Sequence, residues 1–183
     1  MSRSVLVPIA DGIEEIEAVC IIDVLRRAGA EVTVAAVDQL QIRASRGVNL
    51  VADCHLADCR ERTYDMIALP GGIPGAEKLR NSDILASMLK RQQEKEGWYA
   101  AICASPAVVF EHHGLLDGRR ATCHPAFVDR LKNASAAESR VVVDGRCVTS
   151  RGPGSALEFA LKLVAVLFGE KKAAEVAAPM VMP

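Results

Sequence analysis

At 183 residues, half of them hydrophobic and a quarter charged, the chain carries enough apolar material for one domain with a full core, and burial does not limit its folding. A formal net charge of −1 and a pI near 6.4, with lysines and arginines scattered along the chain, argue against nucleic acid as the main partner.

The N-terminal "SVLVPIA" is strand-like, too short for a signal peptide, and leads straight into the acidic "DGIEEIE". A helix from Glu14 to Ala28 follows, with Asp11 as its N-cap and Glu14 completing a capping box. Then come "EVTVAAV", a short "VNLVA", "YDMIALP", a helix near Asp83 to Glu94, and the strand "WYAAIC". The second half adds a helix after Cys103, a short strand at "RATC", and a hairpin "RVVVDGRCVTS" turning at Asp144-Gly145. A long apolar helix from about Ser155 to Phe168, ended by Gly169, and a last helix in "EKKAAEVAAPM" close the series. The segment "ALKLVAVLFG" carries a lysine and stops short of the roughly 20 residues that span a bilayer. A soluble, cytoplasmic protein without a membrane partner is expected. Six cysteines (Cys20, Cys54, Cys59, Cys103, Cys123, Cys147) include no C-x-x-C pair, which argues against a disulfide framework and a zinc site and for free thiols.

Strands alternating with helices predict β-α-β units around a mostly parallel sheet, a three-layer α/β sandwich forming one domain over residues 1–183. In such sheets reactive groups gather beyond the carboxyl ends of the strands. Three loops qualify: "ADGIEEIE", "PGGIPGAE" and "CASP".

In the first, Ile13, Ile16, Cys20, Ile21, Val24 and Ala28 make the apolar stripe, and Glu17 falls inside it. Burial raises a carboxyl pKa by several units, whereas the helix dipole offers only about 0.3–1 kcal/mol to the anion, so a buried Glu17 is protonated and donates a hydrogen bond. The alternative is a solvated stripe edge on which Glu17 reaches water. In the third loop, Cys103 stands at a strand-to-helix turn, where N–H groups of the helix lower a thiol pKa. The alternative, which covers most of the other five cysteines, is a small buried hydrophobe. The glycine pair Gly71-Gly72 either presents amides to an oxyanion or makes a tight turn. In "TCHPAF", His124 either reaches the site or is a loop histidine, and His112-His113 reads as a helix end.

Taken together, "GIEEIEAV", "LPGG", "AAICASP", "TCHP" and "TSRGPG" resemble, in order and spacing, the ThiJ/PfpI superfamily in the branch of the parkinsonism-associated deglycase. The resemblance covers nearly the whole chain. It implies a flavodoxin-like, class I glutamine amidotransferase-like fold, with Cys103 as the reactive cysteine, Glu17 sharing its proton, Gly72 and Ala104 (with Gly71) lining the site through their amides, and His124 as the family's histidine. It implies glutathione-independent conversion of methylglyoxal and glyoxal to hydroxy acids, repair of early glycation adducts, no metal, no organic cofactor, and a homodimer. Val19 and Ile22 on the first helix and the segment "ASRGVNL" are candidates for the subunit contact, and Arg27, Arg46 and Arg151 for charges at the site or interface. A redox-sensing chaperone that oxidises the same cysteine is the alternative. Protease relatives carry histidine directly after the cysteine, where this chain has Ala104, which weakens a peptidase reading. Ser105 replaces a glycine or alanine, and either alters the pocket or caps the helix. Nothing in the chain supports the thiamine-biosynthesis role that the family name suggests.

Overall fold

Short runs of Val, Ile and Ala between helical segments form one sheet buried on both faces, as parallel sheets require. A computed structural model describes residues 3–181. Its strands are β1 Ser4–Ile9, β2 Glu31–Ala36, β3 Gln41–Arg43, β4 Asn49–Val51, β5 Cys54–His55, β6 Met66–Leu69, β7 Trp98–Ile102, β8 Val141–Asp144 and β9 Cys147–Ser150. The helices are α1 Glu15–Arg27, α2 Gly75–Arg80, α3 Asp83–Glu94, α4 Ala156–Phe168 and α5 Glu170–Ala177. The seven-stranded sheet runs β5-β2-β1-β6-β7-β9-β8, and β8 alone is antiparallel to its neighbour. Helices α1 and α4 pack on each other and on the sheet, while α3 packs on β6 and β7 and, beside it, α2 packs on β1. The three-layer α/β sandwich with a mostly parallel sheet is therefore the observed fold.

Strand order changes direction at β1, whose neighbours β2 and β6 lead outward to opposite sides. The carboxyl ends of β1, β6 and β7 lie side by side there, which brings the three glycine- and acid-rich loops together.

Four expectations need correction. Asp11 does not cap α1: its Oδ1 accepts from the Arg43 amide at 2.7 Å, it pairs with Lys78, and Glu14 occupies the N-cap without a side-chain bond to the helix amides. With the helix starting at Glu15, its buried face turns to Glu17, Ala18, Ile21, Val24 and Leu25, while Ile16 of the expected stripe is 53% exposed. The segment "RATC" is no strand, because it meets the sheet through side chains: the Thr122 amide donates to Thr149 Oγ1 at 3.0 Å and the Arg120 amide to Asp144 Oδ2 at 3.0 Å. The β8–β9 hairpin turns on Gly145-Arg146, one residue later than expected, with Gly145 supplying the positive φ of 58°. The segment "ASRGVNL" contributes the loop and second strand of an antiparallel β3–β4 hairpin.

Among the described residues, no helix is long and apolar enough to cross a membrane.

Candidate active site

Strand β7 delivers Cys103 into a turn where its φ is +65°, a left-handed conformation that costs a residue with a Cβ about 1–3 kcal/mol. Two hydrogen bonds from separate segments hold it there. The Cys103 amide donates to the Ser150 carbonyl of β9 at 3.0 Å, and the Cys103 carbonyl accepts from the His124 amide at 2.8 Å. The chain then enters a five-residue π-type turn, Pro106–Phe110, rather than the longer helix expected after Cys103. Ser105 neither caps that turn nor opens the pocket. Its buried hydroxyl donates to the Pro70 carbonyl at 2.6 Å and ties the elbow to the loop after β6.

That loop is packed so closely that only glycine fits. A Cβ on Gly71 would stand 2.6 Å from Cys103 Cβ and 2.9 Å from the Ala104 nitrogen. Gly72, at a φ of +90°, lies equally tight against the backbone of Gly12, Ile13 and Glu14. The peptide of Gly71 grips the start of α1 at both ends, its carbonyl accepting from the Glu14 amide at 2.9 Å and its N–H donating to Glu17 Oε2 at 2.8 Å. Ser45, in the hairpin loop, completes the clamp by donating to Glu14 and Glu15 at 2.9 and 3.0 Å.

Glu17 is fully buried. Oε1 has no well-formed hydrogen bond, and the Cys103 thiol is the neighbouring side chain that bears on the charge of the carboxyl. Burial raises the Glu17 pKa to about 7, against the opposing pull of the Gly71 amide and the thiol, with Glu14 adding a small push upward. Protonated and ionised forms therefore coexist at neutral pH. Cys103 is 8% exposed, and burial first, then the Glu17 charge, pushes its thiol up, while the amides of Gly72 and Ala104 pull it down. The expectation that a helix start makes this thiol acidic is thus reversed. When Glu17 ionises its carboxylate is held by the Gly71 amide, and the amides of Gly72 and Ala104 favour negative charge on the Cys103 sulfur.

His124 joins the elbow through its backbone. Its imidazole Nδ1 accepts from the Ala126 amide at 3.2 Å, which leaves the proton on Nε2, and the ring makes no hydrogen bond to Cys103 or Glu17. It lines a cleft of about 300 Å³ with Pro125, Arg151, Gly152 and Pro153. Arg151 is paired with Glu138 at 3.2 Å. Arg27 is paired with Asp23 on its own helix at 2.6 Å, and Arg46 approaches α1 by its amide, which donates to Glu15 at 2.8 Å. None of the three arginine side chains bonds to the Cys103–Glu17 pair. Among the described residues, no three His, Cys, Asp or Glu side chains are grouped to hold a metal ion.

The sequence profile of the DJ-1/PfpI family matches residues 3–166. The chain belongs to that family. It is 55% identical over 92% of its length to "Protein DJ-1 homolog B" of Arabidopsis thaliana, although it spans only 39% of that longer protein. It is 36% identical to "Glutathione-independent glyoxalase DJR-1.2" of Caenorhabditis elegans, covering 98% of this chain and 95% of that one. Among solved structures, oxidized Toxoplasma gondii DJ-1 superposes with a TM-score of 0.96 at 51% identity, covering 98% of both chains. The DJ-1/PfpI fold thus accounts for the order of strands and the position of the elbow.

Two contributors to the site were not found from the sequence. Ser105 was noticed as a departure from relatives, but its carbonyl partner, Pro70, lies 35 residues away in the chain at the end of the neighbouring strand β6. Ser45 gave no signal at all, since it stands in a hairpin loop remote from the elbow in the chain.

Proposed function

We propose that this DJ-1/PfpI protein is a cysteine-dependent, glutathione-independent glyoxalase that acts in the cytoplasm on methylglyoxal, glyoxal or early glycation adducts. The observation that carries the reading is the buried Cys103–Glu17 pair beneath the amides of Gly72 and Ala104. The glyoxalase name of the C. elegans relative supports it.

In this mechanism the Cys103 sulfur attacks the aldehyde carbon as Glu17 takes the thiol proton and passes it to the developing alkoxide oxygen, giving a hemithioacetal. A base then removes the proton from the former aldehyde carbon. An enediol forms, and reprotonation at the neighbouring carbon gives the thioester of the hydroxy acid. Glu17 and His124 Nε2–H are the groups assigned to these transfers, and water releases the acid and restores the thiol. No metal or organic cofactor takes part. The test is lactate formation from methylglyoxal by wild type and Cys103→Ser; turnover that survives the substitution overturns the reading.

A second reading is a redox-sensing chaperone that oxidises Cys103 toward sulfinic acid, favoured by the oxidized state of the Toxoplasma structure. Its signature is conversion of Cys103 by mild peroxide ahead of every other thiol, with chaperone activity changing in step.

The assembly proposed is a homodimer, supported by half-exposed Ile16 and Val19 on α1 beside exposed Val48 and Val51 of the hairpin. Sedimentation should give twice 19.6 kDa, shifting toward monomer in Ile22→Glu.

A further inference from the structure

A pair of sulfurs lies at the opposite edge of the sheet from the β8–β9 hairpin. Cys54 is on β5, the edge strand, and Cys59 ends the 3-10 turn Leu56–Cys59 that follows it. Their Sγ atoms are 3.4 Å apart, although no metal-ligating third side chain joins them among the described residues. The two differ in access, since Cys54 is half-buried and Cys59 is fully buried. The Tyr64 hydroxyl, buried and without a well-formed hydrogen bond, lies against the Cys59 sulfur.

We propose that Cys54 and Cys59 are a thiol–disulfide exchange site that closes reversibly into an intramolecular disulfide by reaction with a low-molecular-weight disulfide. The half-buried Cys54 is the entry point. Its thiolate attacks one sulfur of the small disulfide, breaking that S–S bond and releasing one thiolate, which takes up a proton. Cys59, as thiolate, then attacks the Cys54 sulfur of the mixed disulfide and expels the second small thiol. Two protein thiols are oxidised and one small disulfide is reduced to two thiols. Closing the bond needs the sulfurs to move from 3.4 Å to about 2.0 Å, a side-chain adjustment. The Tyr64 hydroxyl is placed to donate to the Cys59 thiolate while it attacks.

The surroundings make this a slow site. Burial, then the Cys59 thiol, raises the Cys54 pKa to about 11; of the charged neighbours, Arg62 favours the thiolate and Asp58 opposes it. Reaction therefore goes by exchange over long exposure to an oxidised thiol pool, since attack requires the thiolate. Cys103 is screened from the same reagent, being 8% exposed at the bottom of its elbow.

Trypsin cleavage after Arg46 and Arg60 places both sulfurs on one peptide, Gly47 to Arg60, which makes the test direct. Wild type and Cys103→Ser are incubated with oxidised glutathione, alkylated and digested. The expected result in both is a 47–60 peptide two hydrogens lighter, alkylated only after reduction. In Cys59→Ser the glutathione adduct stays on Cys54, in Cys54→Ser no adduct forms on Cys59, and in Tyr64→Phe the mixed disulfide persists several-fold longer than in wild type. A 47–60 peptide carrying two alkyl groups after oxidation overturns the proposal. So does a stable Cys54 adduct in wild type with Cys59 alkylated. Because the Cys103→Ser protein gives the readout, the outcome is independent of any glyoxalase activity.

Discussion

Gly71 holds Glu17 through its amide, 2.8 Å from Oε2, while the space a side chain at 71 would need is filled by Cys103. One residue without a side chain thereby sets the position of both members of the pair. A methyl group at 71 would also fall 2.8 Å from the Ile102 carbonyl, and backbone on that side cannot swing away. Gly71→Ala should displace the elbow by a fraction of an ångström to an ångström and lower methylglyoxal turnover by about 100-fold. Turnover near the wild-type rate would show that the elbow tolerates the shift.

Activity should depend on pH through Glu17. Its pKa of about 7 means that the carboxylate, the form that accepts the thiol proton, is lost as pH falls below that value. The kcat/KM for methylglyoxal should therefore rise between pH 5 and pH 7 and flatten above, to the extent that one group controls it. Glu17→Gln keeps a hydrogen bond to sulfur and loses the transferable proton. It should remove this limb and cut turnover by about 10²–10⁴. An unchanged limb in the variant would assign it to another group.

Stability should depend on the same carboxyl with a definite sign. Because the folded protein holds the Glu17 proton more tightly than the unfolded chain, the stabilisation this gives is full below pH 4.5 and is lost as pH rises through about 7. A shift from 4.5 to about 7 corresponds to roughly 3 kcal/mol. Urea denaturation should find Glu17→Gln more stable than wild type at pH 8, with the gap closing toward pH 4.5. A gap that widens toward acid would reverse the assignment.

Ser105→Ala leaves the buried Pro70 carbonyl without the 2.6 Å bond it now accepts. A buried acceptor stripped of its partner costs about 1–3 kcal/mol. Denaturant midpoints should fall accordingly, and turnover should fall with them, because the loop that carries Gly71 and Gly72 is released from the elbow.

Much of this arrangement was legible in the sequence, and for identifiable reasons. The buried strands announced themselves by apolar runs and α3 by its helical spacing, to which the structure adds a cap at Ser82, whose side chain accepts from the Leu85 amide. Glu17 stood out because a carboxylate interrupted an apolar stripe, and its burial proved complete. Asp11 misled because a local capping pattern competes with long-range partners, and Arg43 and Lys78 won. The thiol's direction was misread for a similar reason: local helix geometry favours the thiolate, while the neighbouring Glu17 and the depth of the elbow oppose it. Ser45, Ser105 and the Gly71 contacts depend on residues distant in the chain, which no local pattern encodes.

The left-handed turn at Cys103 has a bearing on when this protein becomes chemically competent. Both segments that fix the turn, at His124 and Ser150, are downstream of the cysteine, so during synthesis the elbow leaves the ribosome before the residues that shape it. Without β9 docked beside β7, the thiol would lack its Ser150 anchor and the contact that holds the strained backbone. Completion of the sheet is thus a temporal gate on assembly, and a chain truncated before Ser150 would carry Cys103, Glu17 and His124 yet lack the bond that shapes the elbow.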